Sequence, residues 1–133
     1  MRLAGNNFTN GRQERLDRRR RDRAAALTLR VAYPGVELLR VELHFRGTPY
    51  APALQSHELH PAARAYFEFP CPYADCDGSF DLNQAVKAAL SQGRHRAEGV
   101  LECPGARARD HASQRPCGLQ LVYQISALYQ RDA

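Results

Sequence analysis

The chain has 133 residues and a formal net charge of +5. This length suits one domain with a modest hydrophobic core. No apolar run approaches the roughly 20 residues of a membrane-spanning helix, so we expect no membrane partner.

The positive charge is concentrated near the N-terminus. Residues 1–30 hold nine arginines against three acids, whereas residues 31–133 hold ten basic residues against eleven acids. The start, "MRLAGNNFTN", lacks the apolar stretch of a secretory signal. We therefore expect a cytoplasmic protein, in a compartment where cysteines are metal ligands or free thiols more often than disulfides.

The segment 1–26 is predicted to be a flexible or partly helical arginine-rich arm. Its second part, "GRQERLDRRRRDRAAA", contains good helix formers but almost no apolar stripe that could fix it on a core. It is either a solvated arm or a basic arm that becomes ordered on an anionic partner. The candidate contact residues in this arm are Arg18, Arg19, Arg20 and Arg21.

A single β-rich domain is predicted over 27–133, and it opens with a hairpin. Apolar and polar residues alternate in "LTLRVAY" (27–33) and again in "VELLRVELHFRG" (36–47). Pro34 and Gly35 suit the central positions of a type II turn, in which Gly supplies the positive φ. These features predict two antiparallel strands with one solvent-facing side.

The middle of the chain is predicted to contain a loop, a short strand and a helix. Residues 48–65 include three prolines and are loop-like, and "AYFEF" then forms a short strand. Leu82–Gln92 carries apolar residues at helical spacing, with Asp81 as its candidate N-cap and Gly93 at its end.

Two further alternating runs complete the predicted sheet. They are "AEGVLEC" (97–103) and "CGLQLVYQISALY" (117–129), and the second is regular enough to lie at the centre of the sheet. The fold class is therefore α+β and mainly antiparallel, with a five-stranded sheet and one helix.

The four cysteines carry the chemistry of this sequence. Cys71 and Cys76 lie in the turn-rich stretch "FPCPYADCDGSF", and Cys103 and Cys117 also adjoin Pro and Gly residues. A tetrahedral zinc ion needs thiolates about 2.3 Å away, so tight turns must aim two sulfurs inward. Turns rich in Gly and Pro provide that geometry, and their amide N–H groups can point at the sulfurs. Two such turns at one end of a sheet resemble the zinc-ribbon class over roughly residues 65–125, which implies a structural Zn²⁺ held by all four cysteines.

Three other interpretations of the cysteines remain open. Cys103 and Cys117 can form a cross-strand disulfide at the base of a loop, or all four can be inert buried thiols. A zinc set in which His57 or His111 replaces one cysteine is the third.

No motif indicates an enzyme or a small-molecule substrate. The sequence contains no P-loop, no G-x-G-x-x-G and no Ser/His/Asp pattern, and four thiolates would close the coordination shell of a zinc ion. The loop "PGARARDHASQRP" between the last two cysteines adds Arg107, Arg109 and Arg115 to the candidate contact residues.

These features favour a small non-enzymatic zinc-binding module that contacts nucleic acid or an acidic protein surface. Aromatic residues are nearly missing from the arm and the loop, which argues against base stacking. The alternative is a structural or assembly protein that associates through an exposed edge of the hairpin 27–47.

Overall fold

The computed structural model describes residues 7–46, 54–108 and 114–130. Its elements are, in chain order, α1 (Asn7–Ala25), α2 (Leu29–Ala32), β1 (Val36–Arg46), β2 (Leu54–Leu59), β3 (Glu68–Pro70), β4 (Ser79–Asp81), α3 (Asn83–Ser91), β5 (Arg96–Glu102), β6 (Ala106–Ala108), β7 (Gln114–Pro116) and β8 (Gln120–Tyr129). The named strand pairs are antiparallel. The α+β, mainly antiparallel fold class is thus confirmed.

The main sheet has four strands in the order β2-β1-β8-β5, so the prediction of five strands is wrong. Strand β8 lies between β1 and β5, which confirms that the last alternating run is central. Two small hairpins, β3–β4 and β6–β7, stand apart from this sheet.

The core lies on one face of the main sheet, where alternation along the strands collects the apolar side chains. Leu39, Val41 and Leu43 of β1 are fully buried, as is Leu121 of β8, and Ile125 of β8 is nearly so. Helix α3 and the β3–β4 hairpin contribute to the same cluster through Val86, Leu90, Phe69 and Phe80. Burial of each such side chain stabilises the fold by about 1.5–3 kcal/mol.

Helix α3 matches its prediction to within one residue at each end. Gly93 ends it in a left-handed conformation with φ of 66°, where a side chain would be strained. The amides of Gly93 and Arg94 donate to the carbonyls of Leu90 and Ala89, which is a Schellman motif. Asp81 was predicted to be the N-cap, but the N-cap is Leu82. The Asp81 carboxylate still accepts a hydrogen bond of 2.9 Å from the backbone amide of Asn83 at the start of the helix.

The predicted strand over 27–33 is wrong, because this segment makes other backbone contacts. Leu29–Ala32 forms one helical turn, and the amides of Leu29 and Arg30 donate to the carbonyls of Ala63 and Pro61. The turn that follows is closed by the Val36 amide on the Tyr33 carbonyl at 3.1 Å. Gly35 does not have a positive φ, so this is not the predicted type II turn.

Strand β2 occupies part of the segment that was expected to be a loop. It pairs with β1 from Leu39↔Leu59 to His44↔Leu54, which leaves β1 flanked on both sides. The edges of the main sheet are therefore β2 and β5. Within the described residues of 27–47, the predicted hairpin edge is not present, because β1 is an inner strand.

Residues of the predicted arm form α1, which contacts the rest of the chain. The division into an arm at 1–26 and a domain at 27–133 stays a prediction. Within the described ranges, no helix is both long enough and apolar enough to cross a membrane.

Candidate metal centre

The four cysteines lie at the ends of short strands, on two turns that face each other. Cys71 follows β3 and Cys76 precedes β4, so both belong to the turn of that hairpin. Cys103 follows β5 and Cys117 follows β7, at the base of the inserted β6–β7 hairpin. Backbone hydrogen bonds close both turns, from the Cys71 amide to the Gly78 carbonyl and from the Cys117 amide to the Gly105 carbonyl.

The sulfur atoms form one compact cluster. Cys71 Sγ lies 3.8 Å from Cys117 Sγ, and Cys76 Sγ lies 3.6 Å from Cys103 Sγ. All four sulfurs lie within 4.8 Å of one another. Sulfurs placed tetrahedrally at about 2.3 Å from a zinc ion are about 3.8 Å apart, so this spacing fits one metal ion between them.

Backbone amides point at the sulfurs from within each turn. The Gly78 amide donates to Cys76 Sγ at 3.3 Å, and the Gly105 amide donates to Cys103 Sγ at 3.4 Å. Each donor lies two residues after its cysteine. These hydrogen bonds favour the thiolate form that a metal requires, as expected from the Gly-rich turns.

The two turns approach so closely that only glycine fits at their contact. A Cβ atom on Gly78 would lie 2.5 Å from Cys103 Sγ and 2.8 Å from Gly105 Cα. A Cβ atom on Gly105 would lie 2.5 Å from Gly78 Cα. The backbone contact between these glycines therefore brings one cysteine pair within reach of the other.

Polar contacts fasten the first turn to β6. The Ala106 amide donates to Asp77 Oδ1 at 2.9 Å, and Arg107 Nε donates to Asp75 Oδ1 at 3.0 Å. The Arg107 guanidinium also lies 3.6 Å from the centre of the Tyr73 ring, a cation–π contact. Arg107, which was predicted to contact a partner, thus joins the two cysteine-bearing turns.

Burial and mutual hydrogen bonding perturb the thiols. Cys71, Cys76 and Cys103 are at most 4% exposed, and Cys117 is partly exposed. Hydrogen bonds from the Cys103 and Cys71 thiols lower the pKa of Cys76, with a further contribution from the Gly78 amide. The pKa of Cys71 is raised, because its thiol donates to the neighbouring sulfurs and is buried. The opposite directions of these two pKa shifts follow from the hydrogen bonds that the thiols make with one another.

The disulfide and the ligand set with His57 do not match this geometry. None of the four cysteines is in a disulfide, and the sulfur separations far exceed the S–S bond length of about 2.05 Å. His57 lies on β2 with its ring 4.7 Å from that of Phe69, and it is not part of the cluster of potential ligands. His111 lies outside the described residues.

A second polar network joins α1 to the β3–β4 hairpin near the cysteines. Its centre is the buried carboxylate of Glu68, which accepts hydrogen bonds of 2.6 Å from both Tyr66 and Ser79. From α1, Arg18 lies 3.2 Å and Arg19 lies 3.8 Å from the same carboxylate. Burial alone would raise the pKa of Glu68, but these hydrogen bonds and the Arg18 charge outweigh it, so that pKa is lowered.

The predicted contact arginines therefore differ in how far they are available. Arg18 and Arg19 face Glu68, and Arg19 is only 4% exposed. Arg20 is exposed and lies 3.2 Å from Asp17, while Arg21 and Arg115 are also exposed. Arg109 lies outside the described residues.

Sequence reasoning missed Asp75, Asp77 and Glu68 as residues that organise the site. The two aspartates lie in the turn-rich stretch around Cys71 and Cys76, and Glu68 lies in the predicted short strand, with no role assigned to any of them. The sequence did offer one signal, an acidic turn with Asp75 and an arginine, Arg107, in the second cysteine loop. That signal indicates a contact only once the two turns are known to meet.

Together, the fold and the cluster define an α+β protein with a four-cysteine site that can hold a metal ion. Comparison of the chain with protein families, with curated proteins and with solved structures gives no match.

Proposed function

We propose that this protein is a small non-enzymatic module built around a structural zinc site, with Cys71, Cys76, Cys103 and Cys117 as ligands. The observation that carries the proposal is the convergence of four sulfurs, all within 4.8 Å, from two separate turns. Tetrahedral sites of four sulfurs are typical of zinc and of iron–sulfur centres, and paired turns of this kind resemble zinc ribbons.

The ligand set favours a structural role over a catalytic one. Catalytic zinc sites usually keep one position for water or substrate, whereas four thiolates complete the tetrahedral shell. The ion would link the β3–β4 turn to the base of the β6–β7 hairpin, and its binding energy would contribute to folding.

Native mass spectrometry of the metal-intact protein tests the identity of the ion. We expect a mass increment of one zinc, with loss of the cysteine protons that it displaces, and loss of the ion on chelation. One iron in its place would contradict zinc but keep the metal site. A protein that binds neither metal would overturn the proposal.

Single substitutions test whether all four cysteines serve one ion. We expect Cys71→Ser and Cys117→Ser to lower the affinity for zinc and the stability to a similar extent, since each breaks the same shell. A disulfide between Cys103 and Cys117 would instead make Cys117→Ser severe and Cys71→Ser mild. Ser91→Ala, at the exposed end of α3, is the control, because the Ser91 hydroxyl donates to the Lys87 and Ala88 carbonyls of its own helix.

We further propose that the exposed arginines bind an anionic partner, with nucleic acid tested first. Arg20, Arg21 and Arg115 support this because their side chains are exposed, unlike those of Arg19 and Arg107. Phosphate contacts release counterions, so the logarithm of the affinity should fall with the logarithm of salt by about 0.9 per contact on duplex DNA.

The matched test compares two double variants that remove equal charge. Arg20→Gln with Arg21→Gln should weaken DNA or RNA binding and reduce the salt slope by about 2. Arg30→Gln with Arg46→Gln, also exposed but outside the arm and the loop, should change the slope little. Binding that is missing, or that ignores salt, would exclude nucleic acid and leave an acidic protein surface as the partner.

A further inference from the structure

The outer face of the main sheet, opposite the core, is only partly covered by the described residues. Alternation along β1 buries Leu39, Val41 and Leu43 and turns the residues between them outward. Three large apolar side chains on this face remain strongly exposed, namely Leu54 at 48%, Val100 at 62% and Leu128 at 55%. Leu54 and Val100 lie on the two edge strands, and Leu128 lies three rows away, with charged side chains between them.

The strand register arranges the outer face into five rows that run across the sheet. The row at one end, Arg46, Gln120 and Glu102, lies beyond the four that concern this surface. The first apolar row consists of Leu54, His44, Val122 and Val100. The acidic row beside it consists of Ser56, Glu42, Gln124 and Glu98. The basic row comes next, with Glu58, Arg40, Ser126 and Arg96, and the second apolar row pairs Leu38 with Leu128.

This order of rows is self-complementary. Consider a second copy whose outer face lies on this one, related to it by a two-fold axis that runs across the strands between the acidic and the basic row. Such an axis reverses the order of the rows in the second copy. It places the acidic row of each copy over the basic row of the other, and the first apolar row over the second. Opposite charges then meet at the centre and apolar side chains meet on both sides.

The shape of the second apolar row also suits this arrangement. A shallow depression of about 320 Å³ is lined by Leu38, Arg40, His95, Arg96, Ser126, Ala127 and Leu128. In the facing copy, the first apolar row lies above this depression. In this arrangement Val122 faces Leu128 of the second molecule, and the exposed side chain of Val100 lies one strand away, close enough to join that apolar contact.

We propose that the outer face of the main sheet binds a second copy of this chain, forming a two-fold symmetric dimer with the two sheets face to face. Packed sheets cross at about 30°, so the strands of the two copies align best at the centre of the contact, between the acidic and basic rows. Four strands over these rows cover about 500 Å² per copy, from the strand spacing and the rise per residue. The total of about 1,000 Å² lies at the lower limit for a specific interface, so the association is expected to be weak.

Mass measurement by light scattering or sedimentation, on metal-intact full-length protein up to about 1 mM, tests the dimer. We expect the mean mass to double with rising concentration. Val100→Glu should keep the protein monomeric, because it places a charge in an apolar contact. Val31→Glu is the matched control, since Val31 is also 62% exposed but lies on α2, and it should dimerise like the natural sequence.

A charge exchange tests the two-fold register itself. Arg96 and Glu98 lie opposite uncharged Ser126 and Gln124 on β8, so changing them should disturb the monomer little. Arg96→Glu or Glu98→Arg alone should weaken the dimer, whereas the double variant should restore it, because the rows are exchanged in both copies.

The proposal is overturned if the natural protein stays monomeric at the highest concentration, or if Val100→Glu dimerises as well as Val31→Glu. It is also overturned if the double charge exchange is no better than either single change. None of these outcomes depends on which metal the cysteines bind.

Discussion

At the scale of single residues, the cysteine cluster depends on two glycines as much as on the sulfurs. Gly78 and Gly105 let the two turns touch through their backbones, and each also donates an amide to the cysteine two residues before it. Because one residue fulfils both tasks, a side chain at either position would separate the turns and disturb a sulfur at once.

We therefore predict that Gly78→Ala and Gly105→Ala each lower the affinity for zinc and destabilise the protein by about 1–3 kcal/mol, the range for overpacking at a close contact. Chelator competition and thermal unfolding would measure the two effects. Gly35→Ala is the matched control, since a Cβ atom there would meet no atom within 4 Å. A Gly78→Ala protein that binds zinc like the control would show that the turns do not need this contact.

At the scale of elements, hydrophobic alternation correctly predicted the strands whose two faces differ most in burial. In β8, Leu121, Ile125 and Ala127 are buried, and the intervening residues are more exposed. The same pattern failed for 27–33, where Leu29 is fully buried but Leu27 and Val31 are 59% and 62% exposed. Contacts with residues 61–65 decided that segment, and periodicity contains no information about them.

Strand β2 and the position of α1 were missed for a related reason. The inward side chains of β2 are Gln55, His57 and Leu59, which do not form an apolar row. Helix α1 meets the β3–β4 hairpin through Arg18, Arg19 and Glu68 rather than through an apolar stripe. The metal cluster, in contrast, was predictable because turn residues next to cysteines constrain the chain locally.

The contact between α1 and Glu68 should depend on pH. The pKa of Glu68 is lowered from its ordinary value of 4.5 in the folded chain, so its contribution to stability is complete above that value. The contribution is lost as the pH falls through the lower, folded-state pKa. We expect amide exchange in α1, compared with that in β8, to speed up selectively over this acidic range.

Glu68→Gln should reproduce that effect at neutral pH, with a loss of about 1–3 kcal/mol, because the buried arginine contact loses a charged acceptor. Glu58→Gln is the control, since its ion pair with Arg40, at 3.6 Å, is about half exposed and contributes at most about 1 kcal/mol. Equal exchange rates in α1 for the two variants would mean that Glu68 does not hold the helix.

At the scale of the whole molecule, the sheet and the metal cluster stabilise different parts of the chain. The main sheet has its own apolar core, formed by residues such as Leu39, Val41 and Ile125. The β3–β4 and β6–β7 hairpins have only three residues in each strand, too few to be stable alone. They meet at the cysteines and at the contacts of Asp75, Asp77 and Arg107.

Removal of the metal should therefore unfold the molecule unevenly. We expect chelation to increase amide exchange over 71–78, 103–108 and 114–119 by orders of magnitude, while the central amides of β1 and β8 stay protected. The thermal midpoint should fall and rise again when zinc is restored, since a ligand that binds only the folded state stabilises it in proportion to RT ln(1 + [L]/Kd). Hydrogen-exchange mass spectrometry of the zinc-bound and the chelated protein distinguishes this local unfolding from a loss of protection throughout the sheet. If β1 and β8 lose protection together with the turns, the sheet cannot stand without the ion, and the site stabilises the whole fold rather than one end of it.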